Sequence, residues 1–276
     1  MKKVGRKISN LIERLIANIK RPEMRVLPGQ LAFFFFIALI PLLTLFASLI
    51  SKFNLPYSSL SELLNNYFPN GTASLLEAIS TNNNFNFNVV VFYVSSIILA
   101  SNGTHSMIIA SNQIYKIKDA SYLKRRLKAL LLMIMVFILL LFVILVPVLG
   151  DMIFDFIKTV TIKNTILSAY KILKYPLSFT FIYFFIKTIY VTAPDKVIDT
   201  NKVTYGAIFT TITWILLTKF YSIYVERFTN YTTFYGSISS ILILMLWLYF
   251  LSYLFVLGMA LNFTRYELKS QEISIL

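Results

Sequence analysis

Six stretches of this chain are each long and apolar enough to cross a lipid bilayer: Leu31–Ile50, Val89–Ala110, Ala129–Leu149, Tyr175–Val191, Tyr205–Tyr224 and Ile238–Leu261. A crossing takes roughly 20 residues of helix for a hydrocarbon core of about 30 Å. Inside lipid the backbone must satisfy its own hydrogen bonds, so only helices and closed barrels span. No alternating strands with turn spacing suggest a barrel. The expected class is therefore all-α: a polytopic bundle of about six transmembrane helices with short amphipathic surface helices. The third and sixth stretches are unambiguous as spans. The second and fifth carry Ser, Thr and Asn. The fourth is short and begins at Tyr175-Pro176.

Composition agrees. Of 276 residues, 57% are hydrophobic and only 14% are charged. A soluble domain is about half apolar and about a quarter charged. Too little polar surface remains here to cover a water-exposed body. Residues 1–28 are charged, and no small-residue cleavage site follows the first apolar run, so that run is expected to be retained as a span. The chain contains no cysteine, which excludes disulfides, thiol nucleophiles and cysteine metal sites.

The net charge of +14 has two readings, a nucleic-acid surface or the positive-inside bias of a membrane protein. Position decides. Lys2, Lys3, Arg6, Lys7, Arg14, Lys20, Arg21 and Arg25 precede the first span. Lys116, Lys118, Lys124, Arg125, Arg126 and Lys128 follow the second, Lys196 and Lys202 the fourth, and Arg265 and Lys269 the sixth. The alternate connections hold only Lys52, then Lys158, Lys163, Lys171 and Lys174, then Arg227. This alternation predicts an even number of spans with both termini cytoplasmic, and no nucleic-acid partner is needed to explain the charge.

The expected organisation is a cytoplasmic amphipathic segment (1–28), a membrane domain (29–266) and a cytoplasmic tail (267–276). Ile8, Leu11, Ile12, Leu15, Ile16 and Ile19 recur at helical spacing, with Lys7, Asn10, Arg14 and Lys20 elsewhere on the wheel. Such a helix lies on the inner leaflet, or packs on the protein's own inner surface. An outer helical cap is expected over about 57–80, where Leu60, Leu63, Leu64, Tyr67 and Phe68 form a stripe. Ser59 and Glu62 offer a capping box. No internal repeat is evident.

Chemistry is sparse. His105 is the one histidine, so a histidine-rich metal centre is excluded. Asp151 and Asp155 share a helix face, as a solvated pair or as a carboxylate site for a cation. The eight glycines are scattered and form no phosphate-cradling loop, which argues against an intrinsic ATPase. No catalytic residue, cofactor or metal ligand is identified.

Polar residues at lipid depth carry the remaining signal. Ser101, Asn102, His105, Ser106 and Asn112 lie along the second span, and Thr211 and Lys219 along the fifth. Amides and an imidazole are costly in lipid, so their face turns into the bundle. It lines a polar path, or it joins helices by hydrogen bonds with small residues allowing close approach. Lys219 is expected to snorkel outward, or to pair with Glu226, Asp151 or Asp155. Trp247 and Tyr249 lie mid-span and are expected to hydrogen-bond within the bundle. Gly258 is expected at a close helix contact.

Several of these residues carry a family resemblance that runs from about Leu27 to Tyr266. They are Gln30-Leu31-Ala32-Phe33 with Ile40-Pro41-Leu42, then Ser101, Gly103 and Asn112-Gln113-Ile114-Tyr115. Further along come Tyr224, Phe228, Tyr231, Tyr235-Gly236-Ser237, Leu246-Trp247-Leu248-Tyr249, Gly258 and Asn262. The chain resembles the YihY/BrkB family of bacterial inner-membrane proteins, often mislabelled ribonuclease BN. The resemblance implies a six-span fold in the bacterial cell membrane and, for some members, export or lipid transport. Many members carry a basic residue where this chain has Asn102 and a glutamate where it has Ala260.

The expected function is transport or export of a lipid-like or amphipathic substrate, with membrane lipids as the surroundings. A membrane scaffold that binds envelope partners through its basic inner face is the rival. A nuclease is the third reading. The sequence carries no signal for oligomeric state.

Overall fold

The computed structural model describes residues 2–52, 87–138, 164–227 and 238–274. These residues form seven helices and no strand. They are α1 (Lys2–Ile19), α2 (Pro22–Lys52), α3 (Phe87–Tyr115), α4 (122–138), α5 (Asn164–Thr192), α6 (Thr204–Arg227) and α7 (Ile238–Ser274). Two stretches among them, Pro22–Leu39 and Ile241–Leu268, are long and apolar enough to cross a membrane, and Ser178–Thr192 is a shorter apolar helix. The outer cap over 57–80, Asp151, Asp155, Tyr231, Tyr235, Gly236 and the later part of the third apolar stretch lie outside the described residues.

The helices outrun the apolar stretches, because a helix continues wherever propensity and packing allow, not where lipid ends. α2 begins at Pro22, and α7 runs on to Ser274. α5 begins at Asn164, so Pro176, at the start of the fourth apolar stretch, sits inside the helix. Pro28 and Pro41 are likewise interior to α2. A proline in a helix interior removes one backbone bond, which neighbouring helices in a membrane bundle can offset.

α7 is the central element and packs on α1, α2, α3 and α6, while α2 lies along α3 and α5 along α6. The main core joins Leu27 and Leu31 of α2, Ile108 of α3, Ile186 and Tyr190 of α5, and Phe255 and Met259 of α7. At Gly103 a Cβ would stand 3.0 Å from Phe35 Cδ1 and 3.4 Å from the Ala38 Cβ. That glycine lets α2 and α3 approach closely. Trp247 packs beside the Ala32, Leu244 and Leu248 cluster. Tyr249, expected to be bonded in the bundle, is exposed, and its ring meets Phe250 and Tyr253. Trp214, half-buried like Trp247, donates its indole N–H to the Leu251 carbonyl at 2.9 Å.

One end of the bundle gathers the basic segments. Asn18 of α1 is buried and donates to Thr264 Oγ1 at 2.6 Å. Lys116 pairs with Glu267 at 3.5 Å, and Lys116 and Arg21 both stand over the Phe263 ring. Arg265 stacks 3.4 Å over Tyr205, and Lys202 lies over Tyr266. Along α1, Ile12 and Ile16 remain exposed although Asn18 is docked.

Candidate functional site

The polar residues of α3 divide into two groups. Asn112 organises the first, at the charged end. Here α3 closes in a Schellman turn: Ile117 N–H donates to the Asn112 carbonyl at 2.8 Å and Lys116 N–H to the Gln113 carbonyl at 3.3 Å. Lys116 takes the left-handed conformation that this turn demands, with φ 53°. Glycine or asparagine is the usual occupant, because a side chain there crowds the carbonyl.

The Asn112 side chain then ties three segments together. Its amide nitrogen donates to Asp119 Oδ1 at 2.8 Å and to Asp195 Oδ2 at 2.7 Å. Its carbonyl oxygen accepts from the Asp195 N–H at 2.8 Å. Asp195 Oδ2 also accepts from Ala120 N–H at 2.9 Å. Arg125 pairs with Asp119 at 2.8 Å. Lys128 stands 3.9 Å from Asp195 and donates to the Pro194 carbonyl. Burial pushes the Lys128 ammonium below its ordinary value, and the Asp195 charge opposes that shift. A fully buried amide with both its oxygen and its nitrogen engaged acts as a structural knot.

The second group lies deeper, on the seam between α3 and α4. Arg126 reaches from α4 to donate to Asn102 Oδ1 at 2.8 Å and to the Ile98 carbonyl at 2.8 Å. Thr104 Oγ1 bridges the same seam, contacting the Ala129 carbonyl at 2.7 Å. His105 faces the ring of Tyr122, with centroids 6.0 Å apart. Its Nδ1 is buried and has no hydrogen-bond partner among the described residues, and the same is true of Arg125 Nε. Ser101 is buried and returns its hydroxyl to the Ile98 carbonyl, and Ser106 is buried.

The other polar residues singled out from sequence stand apart. Thr211 is buried on α6 and bonds the Ala207 carbonyl one turn back. Lys219 is exposed. α3 and α6 make no extensive contact, since α7 packs against both.

The residues that carry the family resemblance converge mostly on packing. Gly258 of α7 lies against Gly206 of α6, and a Cβ at Gly258 would collide with the Thr210 and Tyr190 hydroxyls. Asn262 Oδ1 accepts from the Gly206 N–H at 2.6 Å. Tyr190 Oη is 2.7 Å from Thr210 Oγ1 and donates to the Phe255 carbonyl at 2.7 Å. Tyr115 sets its ring on Phe263 and turns its buried hydroxyl toward Asn262. Pro41 is buried and Gln30 half-buried on α2.

Sequence reasoning missed Gly206, Tyr190, Asp195 and the role of Arg126. Gly206 and Thr210 form a small-residue pair four apart, a signal that could have found the α6–α7 contact. Arg126 lies in the first turns of a helix that is apolar after Lys128, and a cation at the start of such a helix is a signal that could have singled it out.

A helical membrane protein with a charged end and a cation carried inward along one seam is the class that this architecture defines. The chain belongs to the BrkB family, whose profile, described as virulence factor BrkB, matches residues 15–274. It is 28% identical over 261 residues to YfkH of Bacillus subtilis (strain 168), named as a ribonuclease-like protein. That match covers 92% of this chain and 94% of the relative. It is 25% identical over 275 residues to the UPF0761 membrane protein VP0125 of Vibrio parahaemolyticus, covering 91% of this chain and 83% of the relative. No solved structure matches it.

Proposed function

We propose that this protein moves a lipid-like, amphipathic substrate across the bacterial cell membrane through six spans. The observation that carries the reading is Arg126, whose guanidinium is held at the level of Asn102 on a seam with an apolar exterior. Ile98, Leu123, Leu127 and Leu131 are all exposed there. A cation is costly at lipid depth and is kept where it serves a polar path. An apolar wall beside a polar seam suits a molecule with one polar end and one apolar end.

Both termini are cytoplasmic in this reading. Support comes from the convergence of α1, residues 116–121, residues 193–203 and the end of α7 at one pole, where most of the basic residues gather. The chain binds no ATP of its own, so a gradient or a partner supplies any drive. The scaffold reading loses weight because Arg125 and Lys128 spend their charge on carboxylates inside the protein. The chain is not an enzyme in this reading, despite the ribonuclease-like name of one relative. Nuclease activity that survives purification and disappears with Asp151→Asn and Asp155→Asn together would reverse that.

The test is lipid translocation in proteoliposomes. Fluorescent lipid on both leaflets is quenched from outside, with and without purified protein. Quenching well beyond half of the signal, lost in Asn102→Leu, is the expected result. Quenching that stops at about half overturns the lipid reading.

A further inference from the structure

Arg126 differs from its neighbours in what its charge meets. Arg125 pairs with Asp119, and Lys128 is close to Asp195. Among the described residues Arg126 meets only neutral acceptors, Asn102 Oδ1 and the Ile98 carbonyl. A guanidinium has five N–H donors, so two bonds leave three unspent together with the whole positive charge. Its planar fork matches phosphate and carboxylate oxygens in pairs, and such charge-assisted bonds are about twice as strong as neutral ones.

The surroundings also lack something. His105 Nδ1 and Arg125 Nε are both buried on this seam, each without a hydrogen-bond partner among the described residues. A buried donor or acceptor left unpaired costs about 1–3 kcal/mol. The seam therefore combines an unneutralised cation with two unpaired polar nitrogens. Beside them stand the exposed apolar side chains of Ile98, Leu123 and Leu127.

Accepting the lipid-like substrate proposed above, we infer that the α3–α4 seam at Asn102 and Arg126 is an anion seat for the phosphate headgroup of a membrane lipid. Asn102 and the Ile98 carbonyl fix the guanidinium, and its free donors take the phosphate. His105 and Arg125 border the seat. The acyl chains lie on Ile98, Leu123 and Leu127. Lys124, two residues earlier and exposed, is a general surface charge and no part of the seat.

Native mass spectrometry of the full chain tests this, after reconstitution into nanodiscs of phosphatidylcholine doped with phosphatidylglycerol and extraction into detergent. Wild-type protein is expected to retain phosphatidylglycerol over phosphatidylcholine. Arg126→Gln is expected to lower that retention about tenfold, as for loss of a charge-assisted bond. Arg126→Lys should keep part of it and Lys124→Gln nearly all. Equal losses in Arg126→Gln and Lys124→Gln would mean diffuse surface charge and overturn the seat. Equal retention of the two lipids by the wild type would overturn it too.

Inorganic phosphate separates the two sources of the same chemistry. Phosphate that displaces phosphatidylglycerol only when Arg126 is present supports the headgroup seat. Phosphate that stabilises the protein through Arg126 while no lipid is retained overturns the lipid assignment. Where Arg126→Gln fails to fold, Asn102→Leu serves instead. It frees the guanidinium to swing, and retention should fall a few-fold. Retention indifferent to Arg126, together with translocation lost in Asn102→Leu, would remove the seat and leave the transport reading standing.

Discussion

The α6–α7 contact and the α3–α4 seam are both polar, and they spend their polarity differently. At α6–α7, Asn262 caps the Gly206 N–H, Tyr190 bonds Thr210 and the Phe255 carbonyl, and Trp214 bonds the Leu251 carbonyl. These groups serve to bring two backbones together. At α3–α4, Arg126 holds neutral acceptors, and His105 Nδ1 and Arg125 Nε have no partner among the described residues. Unpaired buried atoms occur at both places, Asn262 Nδ2 and Ser252 Oγ on α7 as well, so the difference lies in charge: neutral groups join α6 to α7, whereas α3–α4 holds a guanidinium with no carboxylate among the described residues.

The comparison breaks first at Gly258. Gly258→Leu is expected to cost more than about 3 kcal/mol, because the added atoms meet Thr210 and Tyr190 and the backbones must part. Loss of a monodisperse, protease-resistant species after extraction would show it. A wild-type melting profile would mean that α6 and α7 do not touch there.

Asn112→Leu comes next, at about 2–3 kcal/mol, since it strands Asp195 and Asp119 without their shared amide. A thermal melt followed by tryptophan fluorescence measures it. Asn102→Leu sharpens the contrast from the other side. It removes one acceptor from a half-exposed guanidinium, so stability should move by less than about 1 kcal/mol while translocation is lost. A melt as low as that of Asn112→Leu would make the seam another adhesive contact.

The smallest effect belongs to the exposed pair Asp199 and Lys202, 2.7 Å apart. The lysine holds the Asp199 carboxyl below its ordinary range, and the carboxylate holds Lys202 above its own. The depressed acid contributes stability above its ordinary value and loses it as pH falls through the folded value. The raised base contributes below its ordinary value and loses it as pH rises through the folded one. Asp199→Asn should therefore lower stability slightly across the neutral range and converge with the wild type at the acid and alkaline edges, as melts taken over a pH series would show.

Much of the bundle was legible because lipid leaves a plain record. The described parts of the apolar stretches fell on helices, and Gly258 was readable as a close contact because a glycine near the end of an apolar helix admits a neighbouring backbone. Its counterpart, Gly206, was not, since pairing between α6 and α7 is a tertiary fact. Asn112 illustrates the same limit. Its polarity was visible, but its partners Asp119 and Asp195 lie 7 and 83 residues away. Only the return of the chain after Pro194 brings Asp195 back. Asn102 looked like a position that had lost a charge. The charge is present, supplied by Arg126 from the neighbouring helix.

α7 has a mechanical consequence. Its 37 residues, at 1.5 Å each, give a rod of about 55 Å, well beyond the bilayer core, and no proline interrupts it. α2 carries two interior prolines and α5 one. The middle of the molecule is thus an unhinged axle, while two of the helices around it have joints. Any movement that opens the protein to one side and then the other must turn around this axle. α1, pinned to it through Asn18 and Thr264, would swing like a crank handle at the charged end.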